Sequence, residues 1–321
     1  MKHFFYTLFG GLAAIVCGVI CAYLISFTWH AVRPYIIHTA STTLSEVKTA
    51  FVSPDDGTSI SGFTRTIRYT ALEEEDILDA AAQALPRGAD GKITSLAYLV
   101  KNLTRNTVAV QYNTDTVLPI ASVTKLVTAI VARKLIDPTA HITLNREVLS
   151  TYGNTAGFRV GETFTARDML YPLLMASSND AAEAYAQFFV RKKFIQAMND
   201  FTQSIGAYRT SFKDPSGLDG QNVSTANDLA TILEWIRTSD PEIISITQLK
   251  SKTIRSHTFT NPTHFLSWSN YRGGKNGYTT EANRTAVQLF AVGASKDIYA
   301  VIILGSGARD SDMIKLLEKV K

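Results

Sequence analysis

The stretch Pro119–Ile136, "PIASVTKLVTAIVARKLI", sets an apolar helix beside two polar groups. Leu, Val, Ile and Ala dominate it, the pattern of a buried helix. Ser122 and Lys125 stand near its start, a spacing of three that stacks both side chains on one helical face. A charged lysine in apolar surroundings is costly, and burial drives its pKa down toward the neutral amine. Ala129 and Ala132 are small, and Val123, Leu126, Val127 and Ile130 supply apolar bulk around it. A serine hydroxyl becomes a strong nucleophile when a neighbouring base takes its proton, so the pair is a candidate nucleophile and base.

The surrounding chain reads as mixed α and β structure. Before the helix, "KITSLAYLVKNL" and "NTVAVQYN" alternate or run apolar around a short polar turn and predict a β-hairpin. From residue 146 to about 238 the pattern is helical. Thr165 with Asp168, Ser177 with Asp180 and Thr225 with Asp228 are helix-start signatures ahead of apolar runs. After residue 247 strands return in "KTIRSHTF", "YRGGKNGYT", "TAVQLFAVGA" and "IYAVIILGS", and "DSDMIKLLEKV" closes as a helix. Strands flanking a helical insertion predict an α/β (α+β) arrangement, an antiparallel sheet flanked by helices with a helical subdomain.

The N-terminal region has a different character. Phe4–Trp29 carries no charged residue and is long enough to span a bilayer. Without a clean small-residue cleavage site, it reads as an uncleaved signal anchor. The expected organisation is an anchor over 1–30, a Ser-, Thr- and Pro-containing juxtamembrane linker over 31–70, and a catalytic domain over 71–321 that opens with the helix "ALEEEDILDAAAQAL".

Composition narrows the chemistry. The 321 residues are 45% hydrophobic and 19% charged, ordinary for a folded protein, with a net charge of +4. That charge is mild, and "RKK" at 191–193 is the one tight basic cluster, so no nucleic-acid partner is expected. Cys17 and Cys21 both fall in the N-terminal apolar segment, which excludes a disulfide framework or a cysteine zinc site elsewhere. The six histidines form no metal-ligand spacing, and neither metal nor cofactor is expected.

An S-x-x-K pattern alone is weak, and a second one, Ser45 to Lys48, sits in the polar linker without an apolar helix after it. Ser122 and Lys125 have further company. "SSND" places Ser177 and Asn179 in a break between helical runs, and "RGGKNGYT" places Lys275, Asn276 and Gly277 in a strand. S-x-x-K, S-x-N and K-x-G in this order are far more specific than any one of them.

With these motifs, "LPIASVTKLVTAIVA", "FRVGETFTARDMLYPLLMASSNDAAEAYA", "DPSGLDGQNVSTANDLATI" and "GGKNGYT", the chain from about residue 85 resembles the low-molecular-mass penicillin-binding proteins of the D-alanyl-D-alanine carboxypeptidase family. The resemblance implies a β-lactamase/DD-peptidase-like fold and acyl-serine chemistry on peptidoglycan stem peptides, with β-lactams as acylating inhibitors. Carried over by position, Ser122 matches the nucleophile, Lys125 its base, and Ser177 the hydroxyl that passes a proton to the leaving amine. Asn179 matches the amide that holds substrate backbone and positions Lys125. Lys275 matches the cation facing the terminal carboxylate. The backbone N–H groups of Ser122 and Tyr278 match the oxyanion hole. Gly277 and Thr279 would line the strand edge along which substrate lies.

The resemblance has one chief departure. Asn276 stands where the family usually has Thr or Ser, which bears on carboxylate recognition more than on acylation. Endopeptidase action on crosslinks and a catalytically weak peptidoglycan-binding role are the alternatives. A class A-like β-lactamase needs a glutamate for its deacylating water, and this chain has no glutamate between residues 184 and 233.

Overall fold

Strand β1 (Ala97–Asn102) buries every residue but Lys101, and its alternate side chains enter two different cores. Ala97 and Leu99 face one, Tyr98 and Val100 the other, as the two-residue period of a strand requires. The computed structural model describes residues 93–153 and 155–320. The expected membrane anchor, the linker with Ser45 and Lys48, and the helix over 71–85 lie outside the described residues. Among the described residues no helix is long and apolar enough to cross a membrane.

The central sheet has five antiparallel strands in the order β2-β1-β11-β10-β9, where β2 is Thr107–Tyr112, β9 Tyr271–Thr279, β10 Asn283–Val292 and β11 Asp297–Ser306. The expected hairpin is β1–β2, and the K-x-G strand is β9, at one edge of the sheet.

One face of the sheet carries Tyr98, Val100, Ala286, Phe290, Val301 and Ile303, which pack on Met313, Leu316 and Leu317 of the closing helix (Arg309–Glu318). The other face carries Leu99, Val287, Leu289, Ile302 and Leu304 and packs on the helical region. Buried on both faces, β10 and β11 are almost continuously apolar.

The helical region begins with α1 (Lys125–Leu135), whose first eight residues are all buried. Two short strands, β3 (Leu118–Pro119) and β6 (Val223–Ser224), pair just before it. Beyond it a small hairpin, β4 (His141–Thr143) with β5 (Thr163–Thr165), interrupts the stretch expected to be helical from residue 146. Helices α2 (Leu170–Leu174), α3 (Asn179–Phe189), α4 (Arg191–Ser204), α5 (Ala226–Ser239) and α6 (Pro241–Ile246) follow. The stretch read as one strand, "KTIRSHTF", is a hairpin of β7 (Ser251–Ile254) and β8 (His257–Thr260), turned where Arg255 takes a positive φ. The closing helix is α7.

One of the three expected caps forms as read: Thr225 accepts from the Asp228 N–H at 3.1 Å. Thr165 accepts from the Asp168 N–H at 3.1 Å, but that bond closes the turn after β5, and α2 starts later, at Leu170, without a side-chain cap. The third is displaced by one residue. Ser178, not Ser177, caps α3 by accepting from Ala181 N–H at 3.1 Å. Ser177 is in the left-handed region at φ 57°, which turns its hydroxyl away from the helix.

Candidate active site

Ser122 lies in a single 3-10 turn, Ala121–Thr124, directly ahead of α1. Ala121 before it has φ 47°, an uncommon conformation for a side chain with a Cβ. Two glycines permit the packing around this turn. At Gly277 of β9, a Cβ would lie 2.8 Å from Ser122 N and 2.9 Å from Ile120 O, so only glycine lets the edge strand come this close. Gly217 presses on the turn from the other side.

Lys125 Nζ is the hub. It lies 2.8 Å from Ser122 Oγ, and donates to Asn179 Oδ1 and to Ser216 O, each at 2.7 Å. The latter two partners only accept, so a neutral amine satisfies both with its two N–H groups and turns its lone pair to the Ser122 hydroxyl. Complete burial holds the Lys125 pKa well below that of a free lysine, helped by the charge of Lys275 and opposed by Asp214. Asp214 also builds the loop that presents Ser216 O: its carboxylate accepts from the N–H groups of Ser216, Gly217 and Asp219 and from Ser216 Oγ.

Opposite Lys125, Lys275 of β9 donates to Ser177 Oγ and to Asn276 O, each at 2.8 Å. Burial, and then the charge of Arg309, lower its pKa to about 7. With Lys275 donating to its oxygen, Ser177 is left to aim its own proton elsewhere. Asn179 Nδ2 donates to the Tyr152 carbonyl at 2.7 Å, which commits one of its two N–H groups to the protein.

Ser122, Ser177, Asn179, Lys275, Asn276, Gly277, Tyr278 and Thr279 line one open cleft of about 470 Å³, with Lys125 buried behind Ser122. All nine residues expected from the sequence therefore converge. Thr279 also has a local task, accepting from Ala282 N–H in the turn between β9 and β10. Sequence reasoning quoted the motif that holds Ser216 and Gly217 but gave no role to either, since both act through backbone, and it missed Thr263 and Gln288, which contact Asn276. Gln288 did leave a signal, as the lone amide in "TAVQLFAV". Arg309, at the start of α7, lines the same cleft.

Residues 81–306 match the D-alanyl-D-alanine carboxypeptidase family, and the chain belongs to it. It is a serine peptidase of the kind whose members are D-alanyl-D-alanine carboxypeptidases and endopeptidases. A D-alanyl-D-alanine endopeptidase of Escherichia coli (strain K12) is 32% identical over 226 residues, 65% of this chain and 71% of that protein. A D-alanyl-D-alanine carboxypeptidase structure from Mycobacterium tuberculosis superimposes with a TM-score of 0.65 at 26% identity, covering 73% of this chain and 92% of that one. Penicillin-binding protein D2 of Listeria monocytogenes, solved with cefotaxime bound, gives a TM-score of 0.64 at 25% identity, covering 71% and 97%. The mixed fold with its antiparallel sheet agrees with these relatives.

Proposed function

We propose that this enzyme is a D-Ala–D-Ala carboxypeptidase that trims peptidoglycan stem peptides through an acyl-Ser122 intermediate. The observation that carries the assignment is the 2.8 Å contact of Ser122 Oγ with the buried amine of Lys125, whose pKa is depressed. Lys125 takes the hydroxyl proton as Ser122 attacks the carbonyl of the penultimate D-Ala. The oxyanion that forms is met by the N–H groups of Ser122 and Tyr278, which the close approach at Gly277 brings together. The C–N bond then breaks, and the amine of the departing D-Ala takes a proton through Ser177. Water hydrolyses the acyl-Ser122 ester, with Lys125 as base.

Lys275 faces the terminal carboxylate. The substrate lies along β9, an edge strand whose outer side is open to an added strand. β-Lactams acylate the same serine, a reading supported by the Listeria relative solved with cefotaxime bound. The contacts among Ser122, Lys125, Asn179, Ser177 and Lys275 argue against a silent binding module.

A second reading, cleavage of crosslinks, is favoured by the E. coli relative, which is an endopeptidase. The domain plan remains the one given by the sequence: an anchor over 1–30, a linker over 31–70 and the catalytic domain over 71–321. Phe4–Trp29 would hold the enzyme in the cell membrane as a single pass, with the catalytic domain on the outer side where peptidoglycan lies.

The test is covalent labelling by a fluorescent penicillin together with D-Ala release from pentapeptide and cleavage of a crosslinked dimer. Ser122→Ala abolishes all three. Labelling that survives Ser122→Ala places the nucleophile elsewhere, and dimer cleavage without D-Ala release makes the endopeptidase reading the correct one.

A further inference from the structure

Asn276 occupies the position next to Lys275 where a hydroxyl is usual, and one side chain beneath it fixes what it offers to substrate. Gln288, on β10, is fully buried, and its Nε2 donates to Asn276 Oδ1 at 2.6 Å. The other end of the Asn276 amide, Nδ2, lies 3.5 Å from Thr263 Oγ1, and both residues line the cleft.

The Gln288 side chain has its own accommodation in the strand pair. A Cβ on Gly274 would lie 2.4 Å from Gln288 Oε1, so this glycine leaves room for the glutamine. Oε1 has no hydrogen-bond partner. A buried amide that satisfies only one end is costly, so the bond it does make has to be held by something the fold retains.

We propose that Gln288 is a positioning residue for substrate recognition: it locks the Asn276 amide with its NH2 toward the cleft and Thr263, so that this side chain offers substrate only a donor. The inference rests on the carboxypeptidase reading above and names the specificity of the same site. A hydroxyl both donates and accepts, whereas a locked NH2 only donates. It therefore suits a group that only accepts, the free carboxylate of a stem peptide, beside the positive charge of Lys275. If Gln288 did not hold Oδ1, the amide would be free to turn its oxygen toward the carboxylate and repel it.

The experiment compares Gln288→Met, Asn276→Thr and the double variant with the parent. KM and kcat are measured for pentapeptide D-Ala release, and labelling of Ser122 by penicillin is taken to its endpoint. With Asn276 in place, Gln288→Met raises KM about tenfold with kcat changed less than about twofold, the signature of lost uniform binding. In the Asn276→Thr background the same change moves KM less than about twofold, because a threonine hydroxyl needs no partner to orient it. Equal effects in both backgrounds, a kcat effect alone, or tighter pentapeptide binding overturns the proposal.

If Gln288→Met does not fold, Gln288→Glu replaces it. A protonated carboxyl donates as Gln288 does and a carboxylate cannot, so KM relative to the parent rises with pH, and a flat ratio overturns the proposal. A parent that releases no D-Ala and takes no penicillin overturns the function itself, and this inference with it. A parent that does both while the cycle shows no coupling overturns the inference alone.

Discussion

Gly217 sits so close to the turn before the catalytic serine that a Cβ on it would lie 1.9 Å from the carbonyl oxygen of Ala121. It also has φ 88°, where a side chain is strained whatever the space. The contact ties the Asp214–Asp219 loop, which supplies Ser216 O to Lys125, to the turn that carries Ser122.

Gly217→Ala is therefore expected to displace the turn or the loop. Either movement stretches the geometry between Ser122 and Lys125, where a misplacement of about 1 Å costs about a hundredfold in rate. Penicillin acylation should fall by at least that factor while the protein remains folded by circular dichroism. Near-parent acylation would mean that the turn tolerates the shift.

Lys125→Arg should be nearly as damaging as Lys125→Ala. Arginine stays protonated and has no lone pair to offer Ser122. The site around Lys125 is also closed on every side, with no exposed surface to receive a larger group. The acylation rate across pH is the measurement, with a loss of about a hundred- to ten-thousandfold expected from removal of a general base. Recovery of the parent rate by the arginine variant at any pH would exclude a neutral-lysine base.

The two lysines should give opposing limbs in the pH profile. Lys125 acts when neutral, so kcat/KM rises as pH climbs through its lowered pKa. Lys275 attracts the substrate carboxylate when charged, so kcat/KM falls as pH rises through about 7. The charge of Lys275 bears on Lys125, so the two limbs report apparent values of the pair. Lys275→Arg keeps its charge at all accessible pH and should shift the alkaline limb upward by more than about one unit. An unmoved limb would assign it to another group.

The parts of this site that could be read from sequence are those where local pattern and chemistry coincide. Ser122 and Lys125 announced themselves as polar residues at helical spacing in an apolar run. Lys275 did so as a charge in a strand between glycines. The cap on α3 was misread by one residue, because the choice between Ser177 and Ser178 depends on a positive φ at Ser177 that residue type does not encode. Ser216 and Gly217 fall within the motif "DPSGLDGQNVSTANDLATI", but their roles could not be read, for another reason. They act through backbone, on residues about ninety positions earlier in the chain. Gln288 could be noticed as a polar interruption of an apolar strand, but its partner follows from the strand register, which pairs Asn276 with Ala286 and Gly274 with Gln288.

Asp312 should matter for stability and not for turnover. Its buried carboxylate accepts from Thr94 N–H at 3.0 Å, from Thr94 Oγ1 at 2.8 Å, and from Ser95 Oγ and Ser306 Oγ at 2.7 Å each. It thereby pins α7 to the chain entering β1 and to the end of β11. Asp312→Ala leaves the half-buried Thr94 N–H and three hydroxyls without their charged acceptor, which is expected to cost about 2–4 kcal/mol. Urea denaturation measures the loss. With kcat for D-Ala release unchanged at a temperature where the variant is folded, the role is structural.

Asn276 and Gln288 also bear on folding stability, apart from substrate. Asn276→Thr shortens the side chain by one bond and draws its acceptor back from Gln288 Nε2, and Gln288 Oε1 already lacks a partner, so both ends of a fully buried amide go unsatisfied. That single change is expected to lower stability by about 1–3 kcal/mol. Gln288→Met alone leaves only Asn276 Oδ1 unpaired, at a half-buried residue that water can reach, so its cost should be the smaller of the two. Combining them removes the buried amide altogether, and the double variant should be more stable than Asn276→Thr by about 1 kcal/mol or more. Urea midpoints of the four proteins give the coupling directly. If the two losses simply add, the 2.6 Å bond does not carry stability, and Gln288 must be retained for another purpose.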